Sequence, residues 1–241
     1  MVQRAWYRLP PVLRALLPGL VIAGVGLWWF IEILDEVIER DTFEAIDQPL
    51  LEWFASHRVP WVTTVMTAVT TVFGPVVLPV LVAVGCVVWW RRSGGTGQRS
   101  WRDPLLLMGA MVVSTLFSVT VKATVARPRP ADEFQAVPGV EHSFSFPSGH
   151  STGTATLALV VAYLLWRRHR GWRTGLMWAL VSVALIGLVA LTRMYLGYHF
   201  LSDVLAGACV GLFTLGLVVA ADRLLDLRRS RRSDGGHTVE R

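Results

Sequence analysis

Charged residues are scarce in this sequence. They make up 17% of the 241 residues, while hydrophobic residues make up 53%. In a typical soluble domain, charged residues account for about a quarter of the chain. A single soluble core of this size could not bury so much apolar side chain, so the composition excludes an ordinary soluble domain and predicts a membrane protein.

Cysteine and lysine are almost absent. The two cysteines, Cys86 and Cys209, lie inside apolar runs without metal-ligand spacing, so we interpret them as small hydrophobic residues and expect no disulfide framework. Lys122 is the only lysine, and arginines in short clusters between apolar runs account for the net charge of +6. That pattern is typical of the cytoplasmic loops of a membrane protein rather than of a nucleic-acid surface. We expect no nucleic-acid partner and find no sign of an obligate protein partner.

Six stretches are long and apolar enough to cross a membrane, since a transmembrane helix needs about 20 mainly apolar residues. The sequence therefore predicts an all-α fold, an integral membrane bundle of six transmembrane helices. The second stretch contains Gly74, Pro75 and Pro79, so it forms either one kinked helix or two shorter segments. The six stretches are residues 16–36, 61–90, 104–125, 149–166, 174–192 and 200–222.

The basic residues also indicate an orientation. Six spans place both termini on the same side of the membrane. With both termini in the cytoplasm, 17 basic residues lie inside and six lie outside, as the positive-inside rule requires. We therefore expect a multi-pass protein of the plasma membrane, with an uncleaved first span from about Leu16 to Leu34.

Composition divides the chain into one domain and a tail. Residues 1–227 are predicted to form the six-span membrane domain, and the basic residues 228–241 a disordered cytoplasmic tail. Residues 91–103 are rich in glycine, serine and arginine and are predicted to form a flexible internal loop. Residues 41–60 are predicted to carry a short helix, because apolar residues cluster there around polar ones.

Three segments place ionisable residues at one predicted membrane face, where such residues are costly and usually functional. The first segment ends the third span, the second begins the fourth span, and the third joins the fifth and sixth spans. The candidate site residues are Lys122 and Arg129 in the first segment, Ser148, Gly149 and His150 in the second, and Arg193, His199 and Asp203 in the third.

These residue types suit the binding and transfer of a phosphoryl group. An arginine fork matches two phosphate oxygens, and Lys122 adds positive charge. Ser148 stands where an N-cap would begin a helix, whose free N–H groups favour an anion. His150 lies in that first turn and could donate a proton. His199 and Asp203 are four residues apart, so on a helix they share a face, and the carboxylate can fix one ring nitrogen while the other attacks phosphorus.

The three segments resemble the three motifs of the type 2 phosphatidic acid phosphatase family, which is related to the vanadium-dependent haloperoxidases. The resemblance covers about residues 45–222, and Thr192 stands where the family's third motif has serine. The first motif, Lys followed after six residues by Arg-Pro, is matched by Lys122 and Arg129-Pro130. The second motif, Pro-Ser-Gly-His, is matched by residues 147–150. In the third motif, Arg, His and Asp are separated by five and then three residues, as are Arg193, His199 and Asp203.

The resemblance implies a hydrolase of lipid phosphates or pyrophosphates that uses no metal and no cofactor. His199 would form a phosphohistidine, Asp203 would stabilise its imidazolium form, and His150 would protonate the leaving oxygen. Undecaprenyl pyrophosphate is the first expected substrate, and phosphatidate or phosphatidylglycerophosphate is the alternative. The residues expected to hold the phosphoryl oxygens are Lys122, Arg129, Ser148, Gly149 and Arg193.

Other interpretations of these features stay open at the level of sequence. A non-catalytic lipid-binding or transport protein could share the fold, and a haloperoxidase could bind vanadate in place of phosphate. Lys122 or Arg129 alone could be an interfacial anchor. Arg127 falls outside the motif spacing and is interpreted as an anchor or a helper. Glu141 and His142 are interpreted as ordinary loop residues.

Overall fold

The structure is a computed structural model of the chain, and every regular element that it describes is a helix. It describes residues 9–39, 43–92, 101–139, 141 and 143–236, with the backbone alone at 44 and 231–236. This confirms the all-α prediction. The α-helices are α1 (Pro11–Glu39), α2 (Glu44–Ser56), α3 (Pro60–Val72), α4 (Val77–Arg92), α5 (Arg102–Val125), α6 (Gly149–Trp166), α7 (Trp172–Tyr195) and α8 (Leu201–Gly236), with a 3₁₀ turn at Asp132–Phe134.

Four of the described helices are long and apolar enough to cross a membrane. They are α1, α5, α7 and the Leu201–Ser230 part of α8. Helices α3 and α4 meet the same criterion only as a pair, bent by 51° at the break between Val72 and Val77. The second predicted span is therefore two helices, and the pair raises the number of candidate spans to five.

Helix α6 coincides with the fourth predicted span but is not among these candidates. Its first half carries a histidine, a serine and three threonines, which lower its mean hydropathy. The count of six spans is thus not confirmed. Helix α6 packs against α5, α7 and α8, and Ala155, Val160 and Leu164 are fully buried. Because protein surrounds this helix, its polar first turns are shielded from lipid.

The outer faces of the long helices are apolar. On α7, for example, Leu180 and Val183 are 61% and 67% exposed, and only 11% of the most apolar window of that helix is buried. Exposed apolar faces of this extent are surfaces for lipid rather than for water. The exposure pattern supports an integral membrane protein.

Helices α1 and α8 approach so closely that only glycine fits at their contacts. A Cβ atom on Gly19 would lie 2.4 Å from the backbone nitrogen of Ala220, and one on Gly216 would lie 2.3 Å from that of Ala23. Small residues let helix backbones pack directly against each other in membranes. The contact fastens α1 along α8, whose first turn carries Asp203.

An ion network joins α5, α6 and α8 at the end of α6 away from His150. Asp222 accepts hydrogen bonds from Tyr163, at 2.8 Å, and from Arg167. Arg102 lies 2.8 Å from the same carboxylate, and Arg167 also pairs with Asp103. Because α6 has 18 residues, this network lies about 27 Å along the helix from its N-terminus.

The C-terminal part of the chain departs from the sequence prediction. Helix α8 continues to Gly236, past residue 228, where the predicted disordered tail begins. Arginine is a good helix former, and the helix therefore extends beyond its apolar part. Residues 237–241, and 93–100 of the predicted loop, lie outside the described residues. The short helix predicted within residues 41–60 is confirmed as α2.

Candidate active site

The predicted site residues come together at one end of the bundle. Three of them, Ser148, Arg193 and Asp203, are buried with exposures of 0%, 1% and 0%. The other five line a cavity of about 280 Å³ between the α3–α4 break, α4, α5 and α6. Those five residues are Lys122, Arg129, Gly149, His150 and His199.

His199 and Asp203 form a buried pair at the start of α8. His199 Nδ1 lies 3.2 Å from Asp203 Oδ2, and the same oxygen accepts a hydrogen bond of 3.0 Å from the backbone N–H of Phe200. His199 precedes the first residue of α8, so the two side chains meet through the capping turn of that helix rather than along one helical face. The prediction that the two side chains are neighbours is confirmed.

The environment of His199 favours its neutral form. Burial first, and then the positive charges of Arg193 and Arg129, hold the pKa of His199 well below its usual range. With Nδ1–H donating to Asp203, the lone pair of Nε2 is available as an acceptor or a nucleophile. In the structure, Arg129 Nη1 donates to this nitrogen at 3.2 Å.

Three cations surround this histidine and come from different parts of the chain. Lys122 Nζ donates to the backbone oxygens of Phe144 and Ser145 at 2.5 and 3.3 Å. Arg193 donates from Nη1 to Thr70 Oγ1 at 3.0 Å, and its guanidinium lies 4.8 Å from the ring centroid of Tyr198. These contacts orient the cations within a poorly solvated site, where the binding of an anion is strongly favoured.

The N-terminus of α6 faces the same cavity. Ser148 is its N-cap, and Ser148 Oγ accepts a long contact of 3.5 Å from the N–H of Ser151. The N–H of Ser148 donates to the backbone oxygen of Asp203 at 3.0 Å, which ties α6 to α8. A Cβ on Gly149 would meet no other atom within 4 Å, so the first turn of α6 is open to an approaching anion.

His150 lies on that first turn, opposite the break between α3 and α4. A Cβ placed on Gly74 would lie 3.5 Å from His150 Nε2, so the missing side chain of this glycine leaves room for the ring. His150 is 8% exposed and lines the cavity together with His199. Two histidines on one cavity can share the roles of nucleophile and proton donor.

Arg127 is a helper of the buried pair rather than a surface anchor. Its Nη1 donates to Asp203 Oδ1 and to Ser202 Oγ, both at 2.7 Å, and its Nη2 lies 3.0 Å from Asp47 Oδ2. Asp47 in turn accepts a hydrogen bond of 3.0 Å from the N–H of Ser202. A connected set of ion pairs and hydrogen bonds therefore runs from Asp47 through Arg127 and Asp203 to His199.

Two acidic residues of this site were missed in the sequence. Asp47 lies on the apolar face of α2, where Leu51 and Phe54 follow at helical spacing, and it is 3% exposed. In the sequence, the position of this carboxylate on the apolar face of a short helix was the signal that Asp47 is buried. Glu141 bridges Arg129 and Arg193, so its interpretation as an ordinary loop residue was wrong, and no sequence signal marked it. His142 lies outside the described residues.

Thr192 does not face the cavity. It is fully buried, and its Oγ1 donates to the backbone oxygen of Val189 at 2.7 Å within α7. The two cysteines, Cys86 and Cys209, are free and lie away from the site. Among the described residues, no group of three or more His, Cys, Asp or Glu side chains is placed to hold a metal ion.

Known proteins are similar to this chain in sequence and in architecture. The model of the PAP2 superfamily matches residues 103–224, which contain all eight candidate site residues. Phosphatidylglycerophosphatase B of Bacillus subtilis is 30% identical over 214 residues, covering 86% of this chain and 98% of that protein. Decaprenylphosphoryl-5-phosphoribose phosphatase of Mycobacterium tuberculosis is 33% identical over 142 residues, covering 58% of this chain and 68% of that protein.

A solved structure agrees with these relatives. The crystal structure of a transmembrane PAP2 type phosphatidylglycerolphosphate phosphatase from Bacillus subtilis superposes with a TM-score of 0.68 at 29% identity. The match covers 83% of this chain and 95% of that chain. The transmembrane helical architecture is therefore shared over most of both proteins.

Proposed function

The chain belongs to the PAP2 superfamily and is a membrane hydrolase of lipid phosphates, and from that premise we propose that it removes the terminal phosphate of phosphatidylglycerophosphate through a phosphohistidine. The observation that carries the proposal is the buried His199–Asp203 pair, which faces a cavity lined by cations and bordered by apolar helices. The non-catalytic lipid-binding alternative is set aside, because the relatives are phosphatases.

The reaction begins with the attack of His199 Nε2 on phosphorus. The new N–P bond forms as the bond from phosphorus to the lipid oxygen breaks, and His150 gives its proton to that leaving oxygen. Asp203 keeps the Nδ1–H of His199 in place and stabilises the positive ring of the phosphohistidine. A water then attacks phosphorus, its proton returns to His150, and orthophosphate leaves with His199 restored.

The phosphoryl oxygens are held by groups from α5, α6 and α7 and from the segment that follows α5. Lys122, Arg129 and Arg193 supply positive charge, and the N-terminus of α6 at Ser148 and Gly149 supplies N–H donors. Such preorganised donors stabilise charge in a site with little water more strongly than they could in bulk solvent. Charge stabilisation and positioning are the main demands of phosphoryl transfer.

The cavity also offers a path for a lipid. Its apolar wall is formed by Leu78 and Pro79 of α4 and by Met111, Thr115 and Val119 of α5. A lipid whose phosphate reaches His199 would leave its chains between α4 and α5, toward the surrounding membrane. The apolar wall thus supports a lipid phosphate rather than a water-soluble one as the substrate.

The proposed topology has six spans in the plasma membrane, with α3 and α4 together as the second span and α6 as the fourth. Both termini are then cytoplasmic, and the site faces outward. The excess of basic residues on the inner side, 17 against six, supports this orientation. The ion network at the other end of α6 then lies at the cytoplasmic face.

Substrate preference rests on the relatives. Phosphatidylglycerophosphatase B matches this chain along nearly its whole length, which supports a glycerophospholipid monoester and ranks it ahead of our first expectation, undecaprenyl pyrophosphate. The decaprenylphosphoryl-5-phosphoribose phosphatase favours a polyprenyl phosphate as the second candidate. Both classes present a terminal phosphoryl group to the same cations.

Phosphate release from a panel of lipids tests this function. The purified protein is given phosphatidylglycerophosphate, phosphatidate and undecaprenyl pyrophosphate at equal surface concentration, beside His199→Ala. We expect the highest kcat/KM on phosphatidylglycerophosphate. A higher value on the pyrophosphate would move the assignment to the polyprenyl class, and no release from any lipid would overturn it.

Activity is expected to survive the removal of metal ions. Lys122, Arg129 and Arg193 already supply the charge that a divalent cation would contribute. Dialysis against EDTA, followed by assay without added metal, should leave the rate within about twofold of the untreated rate, a range that corresponds to about 0.4 kcal/mol in the barrier. Loss of activity that returns only with a divalent cation would contradict this mechanism.

A further inference from the structure

The carboxylate of Glu141 occupies the space between the two arginines of the site. Its Oε2 lies 3.0 Å from Arg129 Nη2, and its Oε1 lies 2.5 Å from Arg193 Nη2. The side chain is 19% exposed. Each guanidinium group thus holds one carboxylate oxygen. Two oxygens of a phosphoryl group would bind the same two guanidinium groups in the same way.

Arg129 has no nitrogen left for another anion. Its Nε donates to the backbone oxygen of Ser143 at 2.6 Å, and its Nη1 donates to the backbone oxygen of Tyr198 at 2.9 Å and to His199 Nε2 at 3.2 Å. Its Nη2 is shared by Glu141 and Ser143 Oγ, both at 3.0 Å. A phosphoryl group therefore cannot reach this guanidinium unless one of these acceptors leaves.

Glu141 is charged in this position. Burial alone would raise its pKa, but the positive charges of Arg193 and Arg129 outweigh that effect and hold the pKa of Glu141 below its usual range. The carboxylate therefore carries one negative charge at neutral pH, and it neutralises part of the positive charge of the site.

We propose, on the basis of the phosphatase function above, that Glu141 is an internal anion that fills the phosphoryl position in the resting enzyme and is displaced by the substrate. A terminal phosphoryl group, with three free oxygens and close to two negative charges, is a stronger ligand for the arginines than a carboxylate. Displacement of Glu141 frees Arg129 Nη2 and Arg193 Nη2 for two phosphoryl oxygens, on the side of the guanidinium that contacts His199 Nε2 through Nη1.

This arrangement selects for a class of lipid. A phosphodiester lipid has only one negative charge and two free oxygens, so it gains little by replacing a carboxylate that has the same charge and the same number of oxygens. Glu141 therefore keeps the abundant diester lipids of the membrane out of the site while terminal phosphates enter. It also competes with orthophosphate, so that product does not accumulate on the enzyme.

The isosteric change Glu141→Gln tests the proposal. It removes the charge, and we expect the inhibition constant for orthophosphate to fall by about tenfold, or about 1.4 kcal/mol. Inhibition by phosphatidylglycerol, a diester, should strengthen in the same variant. The matched control is Glu133→Gln, which makes the same chemical change at an exposed position on the neighbouring turn. It should alter neither constant by more than about twofold, since exposed charges interact weakly.

The outcomes separate the two proposals. The role of Glu141 would be overturned if Glu141→Gln hydrolyses lipid, unfolds at the wild-type temperature and is inhibited by orthophosphate no more strongly than the wild type. The phosphatase function would then still stand. If the wild-type protein releases no phosphate from any lipid, the proposed function fails first.

A second test uses the wild-type protein and therefore does not depend on whether a variant folds. A water-soluble carbodiimide with an amine modifies accessible carboxyl groups, and peptide mass spectrometry locates them. We expect modification of Glu141 to rise several-fold when orthovanadate is bound, because the anion releases the carboxylate from the arginines, while modification of Glu133 stays constant. Equal or lower modification of Glu141 with vanadate would overturn the proposal.

Discussion

Replacement of His199 by alanine is expected to lower phosphate release by at least about a thousandfold, since loss of the nucleophile removes the covalent route altogether. The ring is fully buried with its Nδ1 fixed by Asp203 at 3.2 Å and with burial and neighbouring cations keeping it neutral. No second histidine of the described residues has this pairing. The measurement is the initial rate of phosphate release from lipid in detergent or nanodiscs.

His57 provides the matched control. It lies beside α2, exposed and stacked on Trp53 with ring centroids 4.7 Å apart, and it does not line the cavity. His57→Ala should keep the wild-type rate. Incubation of the wild type with lipid labelled in its terminal phosphate should leave an alkali-stable label on the peptide that contains His199. A folded His199→Ala protein that still turns over at the wild-type rate would refute the assigned nucleophile.

The second large effect is expected for Arg127→Gln, which acts on folding and on the rate together. Arg127 lies between Asp47 and Asp203, whose side chains are 2% and 0% exposed, and its loss leaves two buried carboxylates without their cation. Breaking a buried ion pair in this way costs about 3–5 kcal/mol. We also expect kcat to fall by about a hundredfold, or about 2.7 kcal/mol, because Asp203 no longer holds the ring of His199 in one orientation.

A double-mutant cycle with Asp47→Asn separates this role from simple loss of charge. Because Asp47 and Arg127 are in contact, the double variant should lose less stability than the two single variants together. Thermal unfolding gives the stability, and phosphate release gives kcat and KM. Arg127→Lys should recover stability but not the full rate, since a lysine cannot bind three acceptors in one fork. Additive stability losses, with kcat unchanged, would mean that Arg127 does not position the site.

The proximity of the residues within each of the three motifs could be predicted because each motif is local. Ser148, Gly149 and His150 adjoin one another, and His199 and Asp203 are four residues apart, so the chain itself limits their separation. Spans of alternating direction then bring the motifs to one face. Asp47 could not be placed in this way, because its contact with Arg127 joins positions 80 residues apart and depends on how α2 folds back over the bundle.

Glu141 illustrates a second limit of prediction from the sequence. Its partners, Arg129 and Arg193, were predicted as phosphate ligands, and two cations in a poorly solvated site need a negative charge whether or not a phosphate is bound. The sequence contains several acidic residues on that face, including Asp132 and Glu133, and nothing in their spacing selects the one that fills the site. The choice follows from the path of the segment between α5 and α6, which local sequence patterns do not determine.

The helices were predicted well where one apolar run made one helix. The break between α3 and α4 was left open because Gly74, Pro75 and Pro79 are compatible with a kink as well as with two helices. The continuation of α8 through residues 228–236 was missed for a different reason. Composition predicted disorder from charge, whereas a helix already formed within the membrane can extend into arginine-rich sequence at little cost.

The break between α3 and α4 also has a consequence for the bilayer. Helix α4 has 16 residues and extends about 24 Å, less than the hydrocarbon core of a bilayer, which is about 30 Å thick. In the proposed topology α3 therefore completes the second span, and the 51° bend between the two helices falls inside the bilayer. Because Gly74 and Pro75 line the cavity at this bend, we expect the cavity to open below the outer headgroups, where a bound lipid keeps its chains in the surrounding membrane.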